Sequence, residues 1–363
     1  MTSSAAWRDA LERAREGGAS VGDAALLLRE APLFDLGRAA DGVRKAIHPD
    51  GVVTYIVDRN INYTNICSCR CSFCAFYREK GTPGGYVLSE EELSGKIEET
   101  LDAGGTQVLL QGGLHPDWDL ADAIRLVRAV KRHPIRLHGF SPPEICHFAG
   151  RSGVPIAEAI ARLKDAGLDS IPGGGAEILD DEVRGLVSPN KIGWREWAAV
   201  MREAHRQGLP TSATMMFGGL ETPDHLARHL VRIRDLQEET GGFTSFIPWT
   251  FQPGNTLLSV DPRFGESRER GFGHAVGYLR VLALSRLVLR NVPTVQVSWV
   301  TMGAKVAQLG LIFGGNDFGS TMMEENVVAS AGVAFRMSEE EIVETIRDAG
   351  FRPMRREERR CST

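Results

Sequence analysis

From about residue 50 onward the chain repeats one pattern: a short apolar segment, a turn rich in glycine or proline, then an amphipathic helix. Strand candidates are Ile61–Thr64, Gln107–Gln111, Ile135–Phe140, Ser170–Pro172, Thr211–Met216, Ser245–Thr250, Thr294–Ser298 and a last, weaker one at Leu311–Gly314. Between them apolar residues recur at helical spacing over Ser89–Ala103, Leu120–Lys131, Pro155–Ala166, Trp194–Gln207, Pro223–Glu239, Ala275–Arg290 and Ala304–Gly310. Ser89 with Glu92 forms a capping-box signal, and Thr222-Pro223 suits a cap and first turn. Apolar strands that alternate with helices imply a parallel sheet covered by helices. Eight such units in roughly 270 residues predict an α/β fold, a (β/α)8 TIM-type barrel. A six-stranded partial barrel with a helical tail is the alternative.

Ahead of the barrel, Ala5–Glu16, Ser20–Glu30 and Leu33–His48 read as three helices. The expected organisation is a helical cap over 1–50, a barrel over 51–335, and a C-terminal helix and tail over 336–363. In that last part Ser338–Ala349 is the closing helix and Arg355–Thr363 a frayed, charged tail. A net charge of −5 argues against a nucleic-acid partner or an anionic membrane surface. No apolar run approaches the ~20 residues of a membrane span, and the first residues lack a secretory pattern. A reducing, cytoplasmic setting is expected.

Four of the six cysteines crowd into eight positions, in Cys67-Ser-Cys-Arg-Cys-Ser-Phe-Cys74. Cys67, Cys71 and Cys74 form a C-x3-C-x2-C spacing, with Cys69 left over. Iron–sulfur clusters are usually held by four thiolates, so three leave one iron of a [4Fe–4S] cube open to a small molecule. A structural zinc site draws four ligands, and no second C-x2-C pair exists here. Cys146 and Cys361 look incidental.

This spacing, with an aromatic residue before its last cysteine, resembles the radical S-adenosylmethionine (SAM) superfamily. The flanks Asp58-Arg-Asn-Ile-Asn-Tyr-Thr-Asn65 and Ala75-Phe-Tyr-Arg78 resemble the menaquinone futalosine-pathway enzymes and the deazaflavin synthases. So do Leu137-His-Gly-Phe-Ser-Pro-Pro-Glu-Ile145, Gly167–Ile178 and Phe246-Ile-Pro-Trp-Thr-Phe-Gln-Pro-Gly-Asn-Thr256, which narrow the likeness to the branch that cyclises dehypoxanthine futalosine. Cys69 departs from the family pattern and puts the cluster register in question. The resemblance implies a [4Fe–4S] cluster on Cys67, Cys71 and Cys74, and SAM as its ligand. It also implies an external reductant such as flavodoxin or ferredoxin. The implied reaction removes hydrogen from ribose C4′ and joins that carbon to a benzoate ring. Aminofutalosine synthase chemistry is the nearest rival; a deazaflavin synthase component fits the Trp249–Thr256 run poorly.

Barrel sites collect where strands end, and the unusual loops fall there. Gln111, Gly112 and Gly113 follow the second strand and resemble the glycine motif that contacts SAM's amino group; a plain turn is the competing reading. Glu177, after the fourth, is read either as an acceptor for sugar hydroxyls or as a helix cap. Glu144, His138 and Asp317 are the unranked candidates for the base that takes the ring proton, each with a bland reading as a core or loop hydrogen-bonder. Arg59 and Arg78 flank the cysteine loop and offer guanidinium forks for the benzoate carboxylate. Trp249 and Phe251 are either a wall over the ring or core packing, and Glu324 and Glu325 either close the cup or cap a helix.

Overall fold

The computed structural model describes residues 3–268, 271–333 and 335–357. Nine strands are present among them: β1 (Val52–Ile56), β2 (Asp58–Asn62), β3 (Gln107–Gln111), β4 (Arg136–Gly139), β5 (Thr211–Phe217), β6 (Phe243–Thr250), β7 (Thr294–Val295), β8 (Asp317–Ser320) and β9 (Arg352–Arg355). All their pairings are parallel. β2 pairs with β3 and β3 with β4. Single bridges His138–Ser170 and Ile171–Thr211 then carry the sheet through the fourth position to β5. β5, β6 and β7 follow, Gln296 bridges to Asp317, and β8 pairs with β1 to close the ring. The ring is a (β/α)8 barrel.

Three departures from the expected elements have physical causes. The fourth strand is reduced to bridges, because Pro172 lacks an N–H and Gly173–Gly175 turn the chain away at once. The eighth is Asp317–Ser320 rather than Leu311–Gly314. Leu311 instead ends the helix Ala304–Leu311, and Gly314, at φ +101°, turns the chain tightly against Arg286. Arg355 is no part of a frayed tail, since it ends β9, which lies beside β1 on the side away from β8. Residues 358–363, with Cys361, lie outside the described residues.

Helices at Ser3–Glu16, Val21–Glu30 and Leu33–Ile47 precede β1. The last packs against Ala275–Val288, and Gly37 fits there because a Cβ would stand 2.6 Å from the Phe313 ring. Side chains alternate along the barrel strands. In β3, Val108 and Leu110 are buried toward the helices while Gln107, Leu109 and Gln111 face the lumen half-buried. His138, Ser170, Thr214, Ser245, Trp249, Thr294 and Gln296 are half-buried in the same way. Barrel interiors are ordinarily filled by Val, Ile and Leu. This lumen is lined mostly by groups that hydrogen-bond, so it suits a polar ligand.

Candidate active site

The cysteine loop leaves the end of β2 and is braced by three other loops on the same rim. Ser68 N donates to Leu114 O at 3.0 Å, Ser72 N to Val187 O at 2.9 Å, and Leu258 N to Ser72 O at 2.8 Å. These reach the loops after the second, fourth and sixth strand positions. Gly113 N also donates to Thr64 O at 2.9 Å. A Cβ on Gly113 would lie 2.3 Å from Ile66 O and 2.9 Å from the Cys67 Cβ, so only glycine allows this contact.

The thiols fit a cluster better than a single ion. Tetrahedral zinc–sulfur bonds of ~2.3 Å place sulfurs about 3.8 Å apart. Among the described residues no three of the loop's sulfurs lie within 4.8 Å of one another. The one grouping of three ligand atoms that tight, Asp180, Glu182 and His225, is already ion-paired to Arg228 and Arg232 through Asp180. Cys69 lies beside Cys67 and Cys71, close enough for its one S–H to bond to either. That bond, with backbone N–H donors, lowers Cys67 to about 6 and overcomes the opposing effect of burial. The Cys69 bond also lowers Cys71, whereas burial raises Cys74. Cys69 itself is pushed up, first by its bonds to Cys67 and Cys71. These shifts favour the thiol form at Cys69 and the thiolate form at Cys67 and Cys71.

A cation faces these sulfurs. Lys191 is 13% exposed, with Nζ 2.9 Å from Glu177 Oε1 and 5.4 Å from the centre of the Phe73 ring. The Cys71 thiolate and Glu177 raise it against its burial. Arg184, more deeply enclosed, donates to the Gly175 and Ala176 carbonyls and stands 3.5 Å from Glu177 Oε2. Sequence reading missed both residues. Their only signal is position, two cations in the loop region after the fourth strand. Glu177 does not cap the next helix, because Asp180 does so by accepting from Glu182 N. Glu177 holds a left-handed φ of +39°, a strain kept where the two cations fix its carboxylate. Lys191→Met is expected to lower iron retained per chain after reconstitution, since the three thiols would lose their buried counter-charge while Glu177 keeps Arg184. Iron quantitation checks this, and undiminished iron would refute it.

The remaining candidates separate by direction. His138 faces the lumen, its Nδ1 2.7 Å from Ser170 Oγ and its Nε2 3.4 Å from Ser212 Oγ. Trp249 is also on the lumen wall, while Phe251 packs edge-on against Phe264. Glu144 is buried beneath Gly112 with four donors on its carboxylate. Burial pushes it up, although each of those bonds pulls it down. Asp317 is not on the rim: it starts β8, at the opposite end, where Arg356 Nη2 meets its Oδ1 at 2.6 Å. Arg59 points outward to Glu324 and Glu99, at 2.7 and 2.5 Å. Arg78 is exposed and bonds the Tyr77 and Ala75 carbonyls of its own loop. Neither arginine reaches the lumen. Glu324 pairs with Arg59 and Lys96, and Glu325 accepts from Val327 N, Val328 N and the Asn60 amide.

Residues 61–233 match the radical SAM superfamily profile, and 240–361 match the CofH/MqnC C-terminal region. The chain is 44% identical over 353 residues to a cyclic dehypoxanthine futalosine synthase of Halalkalibacterium halodurans, covering 95% of this chain and 92% of that one. The chain belongs to the radical SAM superfamily. A second protein of the same name, from Streptomyces coelicolor, is 41% identical over 98% of this chain and 88% of its own. A 5-amino-6-(D-ribitylamino)uracil–L-tyrosine 4-hydroxyphenyl transferase of Methanosarcina mazei is 43% identical, covering 89% of this chain and 85% of its own. The crystal structure of methylornithine synthase (PylB) shares the fold at TM-score 0.73 and 19% identity, over 98% of this chain and all of that one. Membership makes this a radical SAM enzyme whose cofactors are a [4Fe–4S] cluster and SAM. No helix among the described residues is long and apolar enough to cross a membrane.

Proposed function

We propose that this enzyme cyclises dehypoxanthine futalosine, joining ribose C4′ to the benzoate ring in menaquinone biosynthesis. The observation that carries the reading is the 44% identity, nearly end to end, to a protein of that named activity. Cys67, Cys71 and Cys74 would hold the cluster, and the Gln111–Gly113 turn with Glu177 would hold SAM. Bound together, these cofactors supply a 5′-deoxyadenosyl radical able to take a hydrogen atom. The protein's task is to hold the substrate in a lumen closed to water, since displacing the reacting atoms by ~1 Å costs about a hundredfold. Trp249 offers an aromatic face to the benzoate ring. His138 is the proton acceptor this reading favours, because Glu144 and Asp317 are enclosed by their own donors and cations. Arg59 and Arg78 have no part in binding the carboxylate.

Anaerobic turnover with SAM, a reductant and dehypoxanthine futalosine tests the proposal by mass analysis. Cyclisation gives free 5′-deoxyadenosine and a product lighter than substrate by the atoms of one hydrogen molecule. Adenosine carbon appearing in the product of an enolpyruvyl benzoate would instead support an aminofutalosine synthase. The transferase relatives favour a second reading. Consumption of tyrosine with 5-amino-6-(D-ribitylamino)uracil, and no change in dehypoxanthine futalosine, would establish it.

A further inference from the structure

Glu144 is tied to three strand ends at once. Its Oε2 accepts from Ser141 N at 2.7 Å and Ser141 Oγ at 2.5 Å, closing the first turn of the helix Pro142–Ser152. That half is an ordinary capping box. Its Oε1 faces the other way and accepts from Gly112 N at 3.0 Å and the Tyr63 hydroxyl at 2.8 Å. Tyr63 lies between the end of β2 and Cys67, stacked on Trp118 with centroids 5.3 Å apart. Its ring fills the space beside Gly112, where a Cβ would lie 2.6 Å from Tyr63 Cζ. Phe140 turns the chain toward this point at a left-handed φ of +59°, wedged edge-on between Tyr63 and Phe148. Side chains rarely adopt that conformation, and it persists only where packing over-determines it.

The consequence lies in peptide orientation. A trans peptide points its N–H and its carbonyl in opposite directions. Glu144 takes the Gly112 N–H and Thr64 O takes the Gly113 N–H, so the Gln111 carbonyl is turned away from Glu144 and the Gly112 carbonyl away from Thr64 O. Asn62 Nδ2 reaches the Gln111 carbonyl at 3.3 Å. We infer that Glu144 is a positioning residue for SAM: it locks the Gln111–Gly113 turn against the cysteine loop and sets the carbonyl that meets the ligand's ammonium. This role replaces that of a proton acceptor for the ring. It rests on the family's use of SAM rather than on which substrate is cyclised, so the two readings fail separately.

The test uses the full chain, reconstituted anaerobically, and follows the reduced cluster's electron paramagnetic resonance spectrum as SAM is added. Glu144→Gln is expected to keep its iron and its SAM-free spectrum but to need about tenfold more SAM for the spectral change. At saturating SAM its ratio of product to 5′-deoxyadenosine stays at the wild-type value. Tyr63→Phe, which trims the Oε1 side, shifts the SAM midpoint the same way by a smaller factor. Ser141→Ala, which trims only the Oε2 side, leaves the midpoint in place. A wild-type midpoint in Glu144→Gln, with 5′-deoxyadenosine outrunning product, overturns the inference and restores Glu144 as a base. Should Glu144→Gln lose iron, the other pair decides: equal midpoints in Tyr63→Phe and Ser141→Ala would reduce Glu144 to a helix cap.

Discussion

Cys67→Ala, Cys71→Ala and Cys74→Ala should each abolish the cluster's visible absorption and reductive cleavage of SAM, while Cys69→Ala keeps both. All four sulfurs sit in one loop, so proximity does not separate them. Their hydrogen bonding does. Cys69 is buried, and its single S–H is shared among Cys67, Cys71 and the Asn190 carbonyl, the last at 3.6 Å. Cys67 and Cys71 are the thiols lowered by that donor, and Cys67 and Cys74 are half-buried rather than sealed. A ligand must be deprotonated to bind metal, which fits Cys67 and Cys71; Cys74, raised by burial, is assigned by the spacing, and Cys69 is left as a supporting group. Anaerobic reconstitution followed by iron and sulfide quantitation measures the outcome. Full iron in Cys67→Ala with loss in Cys69→Ala would move the first ligand from Cys67 to Cys69 and undo the proposed site.

The cysteine spacing was legible because ligands from one short loop need no tertiary knowledge. Helix ends were legible for a similar reason. Ser89 and Glu92 make the reciprocal bonds of their capping box, at 3.1 and 2.7 Å, and the helix Glu90–Asp102 begins where that pair predicts. Direction was not legible. A barrel strand is buried on both faces, so alternation tells which residues share a face but not which face is the lumen. Arg59 and Asn60 are neighbours, yet one reaches the outer helix Glu90–Asp102 and the other reaches Glu325. Glu144 carried the same ambiguity, since a capping-box glutamate and a buried site carboxylate look alike in sequence. Asp317-Phe-Gly-Ser320 was hidden for another reason: a strand with an ion-paired aspartate facing the lumen has too little apolar content to stand out. Arg352–Arg355 is similar, because its pairing is through the backbone to β1, far back in the chain, and Arg355 is held by Glu339 of the preceding helix.

That last strand leads to the second large effect, a loss of stability by about 3 kcal/mol in Arg356→Ala. Asp317 is fully buried, and Arg356 grips both its oxygens, Nε to Oδ2 at 2.8 Å and Nη2 to Oδ1 at 2.6 Å. Thr54 Oγ1 and Gly319 N complete its hydrogen bonds at 2.6 and 2.7 Å. Removing the arginine would strand a charge inside the barrel where β8 meets β1, at the seam that closes the ring. Breaking a buried pair from one side costs roughly 3–5 kcal/mol. The lower end applies because the Arg356 side chain remains 26% exposed and water already weakens its share. Asp317→Asn added to Arg356→Ala should recover most of the loss, since no uncompensated charge is then left behind. Denaturant unfolding of the two variants measures both quantities. If Arg356→Ala changes stability by less than ~0.5 kcal/mol, the range of ordinary surface substitutions, then β9 is only laid against the barrel and the seam holds without it.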